Sequence, residues 1–303
     1  MSRCWLCGHP ESREVLAATT GGDVTSVDMK ISDSHYGRTA RIVECLACRF
    51  RYADPLPAPN LVALYSDLED PDYLEGGEGR MEPFRLILTR CRTLAPGARR
   101  LLDIGAGTGL LCLAAREQGL EATGIEPSRW GVEVARTRHR LNVLQGPFPH
   151  PGLDGQRFDI VTLIDVIEHV SNPLGLLAGV RDVLEPDGLV VITTPDVKSL
   201  AARILGRRWW HYRVAHVCFF TRQTMLRALD QAGLRLVRAE PYAWVLSIGY
   251  LAERLERYLP VRRVRTALAR TGLGRALFRR RVTLNLHDSI TYFAKPREGK
   301  ARS

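Results

Sequence analysis

The chain has 303 residues, a formal net charge of +10 carried by 39 arginines and only four lysines, and 45% hydrophobic residues. That length holds one full core of about 150–250 residues plus an appendage, and the ordinary composition excludes a disordered or fibrous chain. No apolar stretch follows a basic start, and the longest mostly apolar run, Tyr242 to Ala252, is shorter than the ~18–20 residues of a membrane span; the expectation is a cytoplasmic protein, with peripheral membrane contact left open.

In chain order, the first signal is a pair of knuckles, Cys4-x-x-Cys7 and Cys45-x-x-Cys48, which take four of the seven cysteines. In a reducing compartment such pairs supply four thiolates to a tetrahedral, structural Zn²⁺ with no open coordination position. Gly8 suits the turn after Cys7, whereas Arg49 stands at the equivalent place after Cys48. The 37 residues between the pairs imply a long β-stranded insertion. Free or redox-active thiols are the alternative, and His9 is a minor candidate ligand. Cys91, Cys112 and Cys218 read as buried small apolar residues. The predicted zinc-ribbon-like β module covers residues 1–54. A linker with Pro55, Pro57 and Pro59 follows, and Phe84, Ile87, Leu88 and Cys91 mark a lead-in helix within 55–97.

Residues 101–109, Leu-Leu-Asp-Ile-Gly-Ala-Gly-Thr-Gly, predict a buried parallel strand ending at Asp103 and a glycine turn. A helix is expected to start near Thr108, with its free N–H groups aimed at a ligand. The glycine spacing is G-x-G-x-G, with Leu110 where a dinucleotide fingerprint wants its third glycine. Leu110–Gln118 reads as helix, closed by Gly119. A short strand then ends at Glu126, placed 23 residues after Asp103 as one strand–helix–strand unit requires; its carboxylate suits two ribose hydroxyls. Pro127-Ser128 opens a helix to His139. Asp103 with Gly105, Ala106, Gly107 and Gly109 resembles the first motif of class I S-adenosylmethionine-dependent methyltransferases. The resemblance implies that these residues, with Glu126, Pro127 and Asp165, bind S-adenosylmethionine.

Phe158–Ile164 predicts a buried strand with Asp165–Val170 at its C-terminal mouth, followed by a helix from Pro173 to about Leu184. Leu184–Gly188 reads as a turn before strand Leu189–Thr193. This succession is similar to the subfamily of ubiquinone-biosynthesis O-methyltransferases and many sugar or secondary-metabolite methyltransferases, over about residues 98–240. One departure is Pro147-Phe148 after Gly146, where the family places an acid that holds adenine; Phe148 stacks on the base or packs in the core. The resemblance implies an α/β, Rossmann-like seven-stranded mostly parallel sheet over 98–296, with the strand over Leu284–Lys295 antiparallel and last. A helix is expected over Thr221–Ala232 and a strand over Leu234–Glu240, with residues 297–303 as a tail. Residues 244–281 form a C-terminal helical insertion. Tyr250 to Arg281 holds ten arginines against Glu253 and Glu256. Leu246, Leu251, Leu255 and Leu259 fall at helical spacing beside Arg254, Arg257, Arg262, Arg263 and Arg265, which suggests an amphipathic helix packed on the domain, in a dimer, or on an anionic membrane.

Methyl transfer from a sulfonium needs alignment, and a base where the nucleophile loses a proton. His169 and His216 are the candidates for base or substrate positioning; the alternative is that Glu168 and His169 order the loop and hold the cofactor. No further metal cluster is expected in the core. The predicted function is methyl transfer to an O or C atom of a small, anionic biosynthetic intermediate such as a sugar or lipid-linked glycan. An RNA methyltransferase is the alternative, since cysteine modules and arginine-rich surfaces suit RNA, although Ile164-Asp165-Val166-Ile167 lacks the Asn-Pro-Pro-aromatic pattern of exocyclic-amine methylases. A non-catalytic cofactor-binding interaction protein is the third reading.

Overall fold

The computed structural model describes residues 2–21, 23–30, 37–256 and 260–297. Strands β1 (Ser12–Leu16), β2 (Ile42–Cys45) and β3 (Arg51–Ala53) form an antiparallel meander, and α1 (Leu61–Ser66) and α2 (Gly77–Leu94) lead out of it. Three strand–helix units follow: β4 (Arg100–Ile104), α3 (Leu110–Glu117), β5 (Glu121–Glu126), α4 (Arg129–His139), β6 (Asn142–Gln145), then β7 (Phe158–Ile164), α5 (Pro173–Val183) and β8 (Leu184–Pro195). The chain continues through α6 (Leu200–Leu205), β9 (Cys218–Phe219), α7 (Arg222–Gln231) and β10 (Leu234–Pro241). The insertion contains β11 (Trp244–Ser247), α8 (Ile248–Leu255), α9 (Arg262–Ala269), α10 (Gly272–Arg279) and β12 (Arg281–Leu284), and β13 (Ser289–Pro296) closes the fold.

The large sheet has the order β10-β13-β8-β7-β4-β5-β6, and β13 runs antiparallel to both its neighbours. Its central strands β4, β7 and β8 are largely apolar because both faces are covered. Leu102, Ile104, Val161, Leu163, Val190 and Ile192 face one layer, packed with Leu177 and Val180 of α5 and Met225 and Leu229 of α7. Leu101, Ile160, Leu189 and Val191 face the other, against Leu88 and Cys91 of α2 and Leu111 and Ala114 of α3. Chain direction across the sheet reverses between β4 and β7, so a crevice opens beyond their C-terminal ends, the usual ligand position in an open α/β sheet.

Several expectations are corrected. The helix after the glycine turn begins at Leu110, with Gly109 as its N-cap, rather than near Thr108. β8 starts at Leu184 instead of Leu189: Phe158 pairs with Leu184 and Ile160 with Leu189, so the expected turn is a bulged entry into the strand. Leu284 belongs to β12, opposite Trp244, and not to the last strand. The continuous leucine helix is broken, because Leu246 lies in β11 and α8 ends at Leu255, while Arg257 and Leu259 lie outside the described residues. The cysteine-bearing meander has a fourth strand: Arg51 and Tyr52 of β3 pair with Phe219 and Cys218 of β9. Among the described residues no helix is long and apolar enough to cross a membrane.

Candidate active site

The glycine turn leaves β4 and passes over the end of β5. Gly105, Gly107 and Gly109 all have positive φ, a conformation costly for other residues. A Cβ on Gly105 would lie 2.5 Å from Val166 Cγ2, whereas one on Gly107 would project into open space in the crevice. Gly107 thus leaves the cradle free for a ligand to touch backbone. Gly109 is the exception among the predicted cofactor residues. It does not line the crevice, and a Cβ there would sit 2.5 Å from Leu141 Cδ1 and 3.0 Å from Ala135, so it is glycine for the approach of α4.

Glu126, at the end of β5, is buried and held by two backbone donors: Gly107 N–H to Oε2 at 2.7 Å and Ser128 N–H to Oε1 at 2.8 Å. Burial raises its pKa, and those two N–H groups pull it back. Ser128 Oγ caps α4 by accepting from Gly131 N–H at 2.9 Å and donates to Leu68 O at 2.7 Å, which ties the lead-in segment to the site. Asp103 accepts from Thr162 Oγ1 at 2.7 Å, and burial pushes it up to about 7. Pro127 and Ala106 line the same crevice.

Beyond β7 the floor of the crevice is polar. Asp165 has a left-handed φ of 53°, and burial, then the nearby Asp288, raises its pKa to about 7. Glu168 accepts from Thr194 Oγ1 at 2.9 Å through one oxygen. Its other oxygen, Asp165 Oδ1 and His216 Nδ1 are buried without a partner. His169 and His216 meet edge to face at 4.7 Å between ring centroids, and His211 stacks on His216 at 5.6 Å. His211 Nε2 lies 3.3 Å from Asp288 Oδ2, which also accepts from Trp210 Nε1 at 2.8 Å.

The tautomer of His169 follows from its partners. Nδ1 is 2.9 Å from the Ala215 carbonyl, which only accepts, so Nδ1 carries the proton and Nε2 is left with a lone pair. Tyr65 Oη lies 2.6 Å from the same N–H and shares it. Burial, then the charge of Arg213, lowers the His169 pKa to about 3, so its ring is neutral at physiological pH. Burial, then His169, lowers that of His216 as well. The ligand atoms of Glu168, His169 and His216 lie within 4.8 Å of one another, a grouping the sequence did not foresee.

These groups share one cavity of about 2160 Å³, walled on its far side by Trp244, Tyr250, Leu251, Leu255 and Phe278 of the insertion. Typical single-ligand pockets are about 300–1,000 Å³, so this one has room for two reactants. Phe148 lines it too, pressed against Gly179 of α5 at 2.9 Å from a Cβ placed there. The sequence singled out Asp103, Glu126, Asp165, His169 and His216, and the fold brings them to this cavity. It gave Glu168 only a role in ordering the loop or holding the cofactor, and it missed Asp288 beneath the polar floor and Tyr65 as the partner of His169. A clue to Glu168 lay in its place beside His169 at a strand mouth, whereas Asp288 arrives from a distant strand without a local signal.

The four N-terminal thiols are also gathered. Cys4 Sγ is 3.5 Å from Cys48 Sγ, Cys7 Sγ is 3.5 Å from Cys45 Sγ, and all four lie within 4.8 Å of one another. Arg49 adopts φ 65°, matching Gly8 at 72°, so the two knuckles turn alike. His9 lies beside Glu11, outside the group.

Comparison with known proteins agrees with this geometry. A family model described as a methyltransferase domain matches residues 77–239. A ubiquinone biosynthesis O-methyltransferase of Ruegeria pomeroyi is 34% identical over 167 residues, spanning 50% of this chain and 67% of that protein. Its counterpart in a Ruegeria sp. is 32% identical over 176 residues, spanning 52% and 71%. In fold, a chain from the complex of the Haloferax volcanii Trm112 methyltransferase activator with a methyltransferase aligns at TM-score 0.51 and 15% identity, over 76% of this chain and 97% of that one. The family match spans over half of the sequence and includes the glycine turn, Glu126, Asp165, Glu168, His169 and His216: the chain belongs to the methyltransferase domain family and is an S-adenosylmethionine-dependent methyltransferase.

Proposed function

We propose that the enzyme methylates a hydroxyl oxygen of a small biosynthetic acceptor with an extended apolar body and an anionic group. The observation that carries this reading is the single cavity running from Glu126 past His169 to the apolar insertion wall, with Arg279 and Arg281 at its edge. Glu126 holds the ribose, the Gly105–Gly107 backbone faces the rest of the cofactor, and Asp103 and Asp165 supply negative charge near its cationic groups. Bound S-adenosylmethionine supplies an electrophilic methyl group on a sulfonium. With the cofactor bound, His169 Nε2 would accept the acceptor's hydroxyl proton, and the carbon–sulfur electron pair would remain with the cofactor as its methyl group passes to oxygen. Glu168 and His216 orient the acceptor through their unpartnered lone pairs, with His216 as the alternative base. Exchange of His169 for glutamine is expected to lower kcat by about 10²–10⁴-fold with cofactor affinity retained. Labelled-methyl transfer, assayed on hydroxylated lipid-linked glycans, nucleotide sugars and bulk RNA, measures both the loss and the acceptor; transfer confined to RNA, or turnover by His169→Gln within about twofold of the parent, rejects this reading.

The raised carboxyls give a pH signature. Their pKa values of about 7 exceed the ordinary 3.8, so in the cofactor-free protein their contribution to folding is present at acid pH and lost as pH rises through about 7. A bound cation favours the ionised form and lowers those pKa values. Cofactor binding just below neutral pH is therefore expected to release protons, with affinity rising as pH rises. Calorimetry in buffers of different ionisation enthalpy checks the sign; proton uptake would exclude these acids from the cation's surroundings.

The four-cysteine group fits a structural zinc. A tetrahedron with Zn–S near 2.3 Å sets its sulfurs roughly 3.8 Å apart, close to the 3.5 Å seen and far from the ~2.05 Å of a disulfide. With all four ligands thiolates, this ion would stabilise the fold and take no part in methyl transfer.

A further inference from the structure

The outer surface of the insertion carries a feature that methyl transfer does not use. Between Glu256 and Asp288 the sequence has no carboxylate and nine arginines. On α9 and α10 large apolar side chains face water: Val264 and Leu268 on the first, Leu273 and Leu277 on the second, with Leu273 84% exposed. Each pair is spaced i, i+4 and so shares one helix face. Arginines on and beside these helices, Arg270 and Arg275 among them, are exposed as well.

Apart from Glu256, which pairs with Arg265 of α9, the charges around this outward apolar stripe on its own helices are cationic, and that calls for a partner both apolar and anionic. RNA satisfies the arginines but leaves the leucines unburied, and the only aromatic residue on α9 or α10 available for base stacking, Phe278, is spent on the cavity wall. A bilayer with anionic headgroups takes both: leucines enter the acyl boundary while guanidinium groups remain among the phosphates. We propose that α9 and α10 seat the enzyme on an anionic lipid surface. The inference goes beyond the assignment of the acceptor and holds whether or not the acceptor is itself lipid-linked. Through Phe278 the same helix pair also walls the acceptor cavity, so seating would set that wall against lipid.

The test is co-sedimentation of the full chain with phosphatidylcholine vesicles, with and without phosphatidylglycerol. Recovery is expected with the anionic vesicles alone, falling as salt screens the arginines. Leu273→Asp combined with Leu277→Asp is expected to reduce partitioning about tenfold or more, with the affinity for S-adenosylmethionine unchanged, since both side chains lie outside the cofactor site. Equal recovery with the two vesicle types, recovery with neither, unaltered partitioning of the double variant, or capture of single-stranded RNA in preference to anionic vesicles would each overturn the proposal. Cofactor binding and methyl transfer are read separately, so failure on vesicles with both intact counts against this inference alone.

Discussion

Replacing Glu126 with alanine is expected to raise the dissociation constant for S-adenosylmethionine by about 100-fold or more, because the proposed ribose contact would supply two charge-assisted hydrogen bonds worth ~1.5–3 kcal/mol each. The change also removes the acceptor for the Gly107 and Ser128 N–H groups, which lie 2.7 and 2.8 Å from the carboxylate. The glycine turn would then lose the contact that fixes it against β5. Glu126→Gln keeps one acceptor oxygen and the side-chain shape, so it should fall between the parent and alanine. Isothermal calorimetry of the three proteins gives the order, and unchanged affinity in Glu126→Ala would remove the residue from the cofactor site.

Cys45→Ser together with Cys48→Ser is expected to abolish metal retention and melt β1–β3. Apparent free energies of structural zinc binding, about 10–16 kcal/mol, match or exceed the whole stability of a typical domain, about 5–15 kcal/mol. From sequence alone the damage would be expected to stay within the first 54 residues. The shared sheet extends it: β3 pairs with β9, and Phe50 packs on Phe220 at 5.1 Å between ring centroids. Ala215 and His216 lie just ahead of β9, so methyl transfer should fall along with the melting temperature. Elemental analysis that finds no zinc in protein purified without chelator, or full retention in the double variant, would reject the assignment.

The central strands β4 and β7 are legible in the sequence because each is a mostly apolar run that stops at a residue with a backbone task. Leu101–Ile104 stops at Gly105, and Phe158–Ile164 stops at Asp165, whose φ is positive. Caps are equally visible: Ser128, Asn172 and Thr221 each accept from a backbone N–H in the first turn that follows. Features made by distant segments are not legible. β9 has only two residues and exists because β3 offers an open edge. The polar floor joins Glu168, His216 and Asp288 from three parts of the chain, and only tertiary packing determines that they meet. The leucine spacing in the insertion misleads for a related reason: Leu246 is paired with Val282 across the ribbon, an interaction that a helical period does not encode.

The insertion begins and ends at neighbouring points. β10 and β13 are paired, Tyr242 N–H donates to Ser289 O at 2.9 Å, and Trp244 faces Leu284 at the start of the ribbon. A segment anchored in this way can be lengthened, shortened or exchanged without moving the strands that support it, because its two ends are held together by the hairpin rather than by its own contents. The glycine turn and Glu126 stand on the other side of the sheet order, beyond β8 and β7. Exchange of this one segment would therefore remodel the far wall of the cavity while the donor half stayed as built. Evolution or an engineer could thus redirect what is methylated through a single contiguous stretch of gene.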